Sequence, residues 1–161
     1  MTVPLTGQSI WTNTFMATTI TPRDELFLDT SFAVALSSEA DQNHSRAWRI
    51  SIAIEALNCR ILTTRAVLLE IGNALSRLRY RASVIELLAS LHIDPQLTIL
   101  PLSDDLYEKA FELFSSRPDK EWGMVDCVSF VVMEQRGLTK ALTADLHFEQ
   151  AGFQALLKSD D

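Results

Sequence analysis

Five short apolar runs alternate with longer stretches whose apolar residues recur at helical spacing. The runs are ELFLD (25–29), RILT (60–63), TILPL (98–102), KALT (140–143) and FQALL (153–157). Between them, 41–57 repeats Ala47, Ile50, Ile54 and Leu57, and 65–78 repeats Val67, Ile71, Ala74, Leu75 and Leu78 behind a capping Thr64. TSFAVALSS after the first run reads as a short helix or turn, and 82–91 as a further helix. Ser103 caps one more helix, to about 115, with Asp104 and Asp105 favourably placed in its first turn. The segment 125–135, containing CVSFVVM, fits strand or helix by period, and its length leans towards helix. Strands alternating with helices predict an α/β chain, with a mostly parallel sheet covered on both faces. Right-handed crossovers then bring all strand C-termini to one edge, where ligands bind in such sheets. Asp29 ends the first run and Asp145 lies two residues beyond Thr143, so both belong to that edge.

A chain of 161 residues with 47% hydrophobic content supports one domain with one ordinary core. Residues 1–24 are polar, Thr-rich and without clear period; they read as a loosely ordered extension before a domain at 25–161, with Met16 as an alternative start. The two cysteines form no CxxC pair and the three histidines show no zinc-ligand spacing. That usage suits a reducing cytoplasm, and no apolar stretch of about 18 residues predicts a membrane span. No signal peptide is expected.

The net charge of −7 argues against a simple nucleic-acid coat protein, but it is unevenly spread. Residues 44–82 hold seven arginines and two acids, a net +5 against −12 for the remainder. Within that stretch, Arg77, Arg79, Tyr80 and Arg81 set an aromatic ring among guanidinium groups, as phosphate-and-base contacts require. A solvated helix end carrying favourable cations fits the same residues.

Four acids stand where a carboxylate is not the cheapest choice: Asp29, Glu70, Asp126 and Asp145. Each has an ordinary explanation. Asp29, Asp126 and Asp145 precede helical segments and suit N-caps. Glu70 edges the apolar stripe of 65–78, with Asn73 and Arg77 continuing its ridge, and pairing with Arg77 at a solvated flank would account for it. Leu68 and Leu69 suggest that this helix is largely covered. If the fold gathers all four acids, repulsion becomes the dominant local term. Two carboxylates about 4 Å apart repel by roughly 4 kcal/mol at an effective dielectric of about 20. A divalent cation removes that conflict, and oxygen ligands without His or Cys suit Mg²⁺ or Mn²⁺ over zinc. Such an ion serves phosphodiester hydrolysis by binding a phosphoryl oxygen and activating water.

LFLDTSFAVAL, LLEIGNAL, WGMVDCVSF and ALTADLHFEQAGF, in this order over residues 25–157, resemble the PIN-domain family and, within it, the VapC-type toxin ribonucleases. The resemblance implies a three-layer α/β/α PIN-like fold and Mg²⁺- or Mn²⁺-dependent RNA cleavage. It implies metal-ligand roles for Asp29, Glu70, Asp126 and Asp145, with Ser31, Asn73 and Thr143 supporting them. It also implies a small antitoxin partner and a homodimer. Met124 and Val125 depart from the pattern, which often has a hydroxyl residue just before the third acid. The alternative is a catalytically silent PIN-like module that binds RNA or protein. An aspartyl-phosphate phosphatase is disfavoured, since Ser31 stands where its second acid belongs.

Overall fold

The computed structural model describes residues 20–158. Five strands, β1 (Glu25–Leu28), β2 (Arg60–Thr64), β3 (Leu97–Leu100), β4 (Lys140–Leu142) and β5 (Gln154–Ala155), form one sheet in the order β3-β2-β1-β4-β5. Every pairing is parallel, with Phe27 opposite both Leu62 and Ala141. The helices are α1 (Thr30–Ser37), α2 (His44–Ala56), α3 (Arg65–Ala74), α4 (Arg81–Ile93), α5 (Asp104–Ser116), α6 (Met124–Arg136) and α7 (Leu146–Gln150). This is the expected α/β/α arrangement.

Sheet burial follows from the strand pleat. Phe27 and Leu62 point into a cluster with Val67, Ile71, Val128, Met133 and Phe148. Leu26, Leu28 and Leu142 enter a second cluster with Ala47, Ile50 and Ile54 on the opposite face. Each face is thus covered by helices, and the central strands read as continuous apolar runs rather than alternating ones. Cys127 lies in the first cluster and Cys59 in the second, both as fully buried free thiols.

The ambiguous segment at 125–135 is a helix, α6, buried from Cys127 to Met133. Gly137 ends it at φ 66, the left-handed turn that a side chain would strain. Strand β3 stops at Leu100 because Pro101 has no amide to donate. The last run pairs formally over Gln154–Ala155, although the Leu156 and Leu157 amides still donate to Ala141 and Thr143 at 2.9 Å.

One expected helix is shorter than its pattern. The segment 65–78 is helical only to Ala74, and a 3-10 turn follows at Leu78–Tyr80. Leu78 is 91% exposed and Leu69 61% exposed, so neither covers the helix as read from sequence. The break is held by Arg81, whose guanidinium donates to the Ser76 carbonyl at 3.0 Å. Of the N-terminal extension, residues 1–19 lie outside the described residues. Ile20 is buried in the second cluster, and Asp24 pairs with Lys140 at 2.6 Å, so the residues just before β1 are anchored to the sheet. Among the described residues no helix is long and apolar enough to cross a membrane.

Candidate active site

Strand order reverses between β1 and β4, because the chain leaves β1 towards β2 on one side and returns to β4 on the other. The C-terminal ends of these two strands flank a switch point, the place where parallel sheets open a crevice. Asp29 follows β1 directly, and its amide donates to Leu142 O of β4 at 3.3 Å. Its side chain is 6% exposed. Asp29 Oδ2 accepts from Thr143 Oγ1 at 2.7 Å, Ser31 Oγ at 2.9 Å and the Ser31 amide at 3.3 Å. The last bond is the N-cap of α1, so the capping explanation is correct as well. Burial holds this carboxyl above the usual carboxylate range, against the opposing pull of Thr143 and Ser31. Ser31 Oγ also accepts from the Ala144 amide, and Thr143 Oγ1 from that of Asp145, both at 3.0 Å. The β1 and β4 ends are thereby locked together through two hydroxyls.

Asp145 caps α7 by accepting the His147 amide at 2.8 Å. Asp126 does not cap α6 as its first flanking residue. Gly123 holds that position, and Asp126 sits one turn in, its Oδ2 accepting the Gly123 amide at 2.9 Å. Its position near the positive end of α6 partly offsets its charge. The chemistry-bearing residue that sequence reading missed is His147. Its Nδ1 lies 3.0 Å from Asp126 Oδ2 and 3.5 Å from Asp145 Oδ1. Zinc spacing was the wrong criterion for it. The useful signal was Asp-Leu-His at a helix start, where the cap turns the third residue back beside the first.

Glu70 reaches the same crevice from the second turn of α3. Thr30 Oγ1 donates to Glu70 Oε2, a support not among the expected Ser31, Asn73 and Thr143. Burial raises the Glu70 carboxyl above its ordinary range; Thr30 opposes this, and the charges of Asp29, Asp126 and Asp145 add to it. Glu70 therefore senses all three other acids. They do not form a closed ring of ligand atoms. The tight group is Asp126, Asp145 and His147, whose donor atoms lie within 4.8 Å of one another, with Asp29 and Glu70 outside it.

The remaining sequence candidates lie elsewhere. Asn73 is exposed, and its carbonyl accepts from the Ser76 amide at 3.3 Å. Arg77 stands beyond the end of α3, so it does not continue the Glu70 ridge. Arg79 stacks on the Tyr80 ring at 4.5 Å, and Arg77, Arg79 and Arg81 are exposed. Among the described residues no Lys or Arg pairs with any of the four acids. This is the test that bears on a metal. A cluster of carboxylates with a neutral-capable imidazole and no resident ammonium or guanidinium is suited to a divalent cation.

Comparison with known proteins agrees. The PIN domain family matches residues 26–154. The 23S rRNA-specific endonuclease VapC20 of Mycobacterium tuberculosis is 31% identical over 129 residues, spanning 80% of this chain and 95% of that protein. The crystal structure of VapC20, described as a Sarcin-Ricin loop cleaving toxin, superposes with a TM-score of 0.72 at 28% identity, over 80% of this chain and 95% of that one. VapBC2 from Rickettsia felis, solved bound to a DNA fragment from its promoter, shares the fold at a TM-score of 0.59 and 16% identity, over 81% of this chain and 96% of that one. With its sheet order, its crevice acids and these relatives in agreement, the chain belongs to the PIN-domain family.

Proposed function

We propose that this protein is a metal-dependent endoribonuclease, the toxin of a toxin–antitoxin pair, that hydrolyses RNA phosphodiesters with Mg²⁺ or Mn²⁺. The observation that carries the reading is the switch-point edge where Asp126 and Asp145 stand together and Glu70 feels the charges of Asp29, Asp126 and Asp145, with no Lys or Arg partner among the described residues. These residues would hold the ion. When bound, it supplies charge neutralisation at the phosphoryl group and activation of water. The chain supplies placement. Thr143 and Ser31 fix Asp29, Thr30 fixes Glu70, and the Gly123 amide fixes Asp126, so the carboxylates need not reorganise when substrate arrives.

RNA is the proposed substrate class, supported by the activity that names the 31%-identical relative. The exposed Arg77, Arg79 and Arg81 would contact flanking phosphates, and Tyr80, already stacked with Arg79, would receive an unpaired base. A small antitoxin protein is the proposed partner, in keeping with the VapBC name of the Rickettsia felis neighbour. The working state would be a cytoplasmic homodimer. Exposed Tyr107, Phe111 and Phe114 along α5 support self-association, with the first two rings stacked at 6.5 Å.

Cleavage of structured RNA, followed on denaturing gels, tests the reading. Product is expected with Mg²⁺ or Mn²⁺ and should be lost with chelator. Asp126→Asn should reduce the rate by about a hundredfold or more. Undiminished cleavage in chelator, or tight binding without turnover, overturns it.

A further inference from the structure

We propose that His147 is itself a ligand of the metal, making the centre a mixed nitrogen–oxygen site that prefers Mn²⁺ to Mg²⁺. The inference rests on the metallonuclease reading above and goes beyond it, since that reading assigns the ion to carboxylates alone. His147 Nδ1 is 3.0 Å from Asp126 Oδ2 and 3.5 Å from Asp145 Oδ1. Adjacent donors around an octahedral ion with bonds of about 2.1 Å stand about 3 Å apart, so Nδ1 and Asp126 Oδ2 have that spacing, Asp145 Oδ1 is close to it, and the three donor groups lie within 4.8 Å of one another.

The ring is well placed to keep that position. The His147 amide is tied to Asp145 Oδ1 at 2.8 Å, which fixes the turn from which the side chain springs. The next residue, Phe148, is fully buried and packs on Phe27 and Phe130, with ring centroids 6.2 and 5.0 Å apart. A short helix would otherwise fray; here its inner face is anchored in the core. The other two histidines are engaged elsewhere, His44 Nδ1 with the Ala35 carbonyl and His92 Nδ1 with that of Leu88. Among the described residues only His147 presents Nδ1 to carboxylates.

In the free protein the 3.0 Å contact with the Asp126 carboxylate places the imidazole proton on Nδ1. Ligation moves that proton through solvent to Nε2, which frees the Nδ1 lone pair for the ion with no net change in protons bound. The ion then occupies the space in which Nδ1 now meets the carboxylate oxygens. Between the two ions of the proposed function a nitrogen donor favours Mn²⁺, since Mg²⁺ favours oxygen and retains its waters; with that nitrogen in the set, zinc is no longer disfavoured as it is by oxygen ligands alone. The nitrogen is therefore a selectivity device.

Pulsed EPR of Mn²⁺ bound to the full, tag-free chain tests this, with the protein made once with natural and once with ¹⁵N-labelled histidine. A nitrogen coupling that changes with the isotope is expected. In His147→Ala it should vanish, Mn²⁺ affinity by calorimetry should fall about tenfold, and Mg²⁺ affinity should hardly move. His147→Gln is a second variant should the alanine form fold poorly, and the wild-type coupling needs no variant. Bound Mn²⁺ without nitrogen coupling, or equal losses for both ions, overturns the ligand assignment while leaving the nuclease reading intact. Failure of the wild-type chain to bind any divalent ion overturns both.

Discussion

Asp29 shows how one side chain is asked to satisfy opposed demands. Burial raises its proton affinity, yet three donors, from Thr143 and Ser31, are aimed at one of its oxygens. A carboxyl whose folded-state pKa lies above its unfolded value opposes folding increasingly as pH rises through that unfolded value. Asp29→Asn keeps the cap and removes the charge. In chelator at pH 7 the variant should melt higher than the wild type, and the gap should close near pH 3; thermal melts at the two pH values decide this. The same change should lower RNA cleavage by about a hundredfold or more. A position where lost activity accompanies gained stability is one held for chemistry. The four acids were visible in the sequence because each stands at a helix start or among apolar residues. Caps and site proved to be compatible: Asp29 and Asp145 cap the helices whose starts carry them into the crevice. Thr30 was not visible, because its role depends on a partner 40 positions away; for His147 the Asp-Leu-His turn was local, but its contact with Asp126 spans 21 positions.

At the scale of elements, period and caps fixed most boundaries, and failures came where local chemistry outweighed apolar spacing. Helix α3 ends at Ala74, Arg81 bonds back to Ser76 across the break and Leu78 lies in solvent; no count of apolar residues reveals that bond. The entry to β1 behaves similarly. Polar composition over 1–24 hid Ile20, which is buried, and Asp24, whose pairing with Lys140 spans the sheet from the start of β1 to the start of β4. Burial alone would raise the Asp24 carboxyl, but hydrogen bonds from Lys140 and Thr21 pull it below its ordinary range. A depressed folded-state pKa contributes stability above the unfolded value, and that stability is lost as pH falls through the folded one. Asp24→Asn should therefore cost up to about 1 kcal/mol in urea unfolding at pH 7, and nothing near pH 2, once the wild-type Asp24 carboxyl is protonated in the folded and the unfolded chain alike.

For the molecule as a whole, the alternation of apolar runs and helical segments was enough to predict a parallel sheet with a functional edge. It was not enough to give the strand order, which is set by non-local packing on two faces. Surface apolarity was also beyond reach, since helical spacing marks an apolar stripe without saying what covers it. On α5 the inward positions Leu106 and Ala110 are buried, while Tyr107, Phe111 and Phe114 remain in solvent. If a second copy of the chain covers them, sedimentation at micromolar concentration should give a dimer, and Phe111→Asp should give a monomer that melts as the wild type does when diluted until its dimer dissociates. A change in melting with no change in mass would assign Phe111 to the monomer's own packing.

Cys59 and Cys127 sit in separate clusters on opposite sides of the sheet, with no disulfide, and burial followed by the nearby Asp126 charge pushes the Cys127 thiol up to about 11. Neither sulfur is open to a thiol reagent while its layer is closed. The chain thus carries two native probes of local opening, one for each half of its interior. Their separate labelling rates would tell whether the two layers come apart together or in turn.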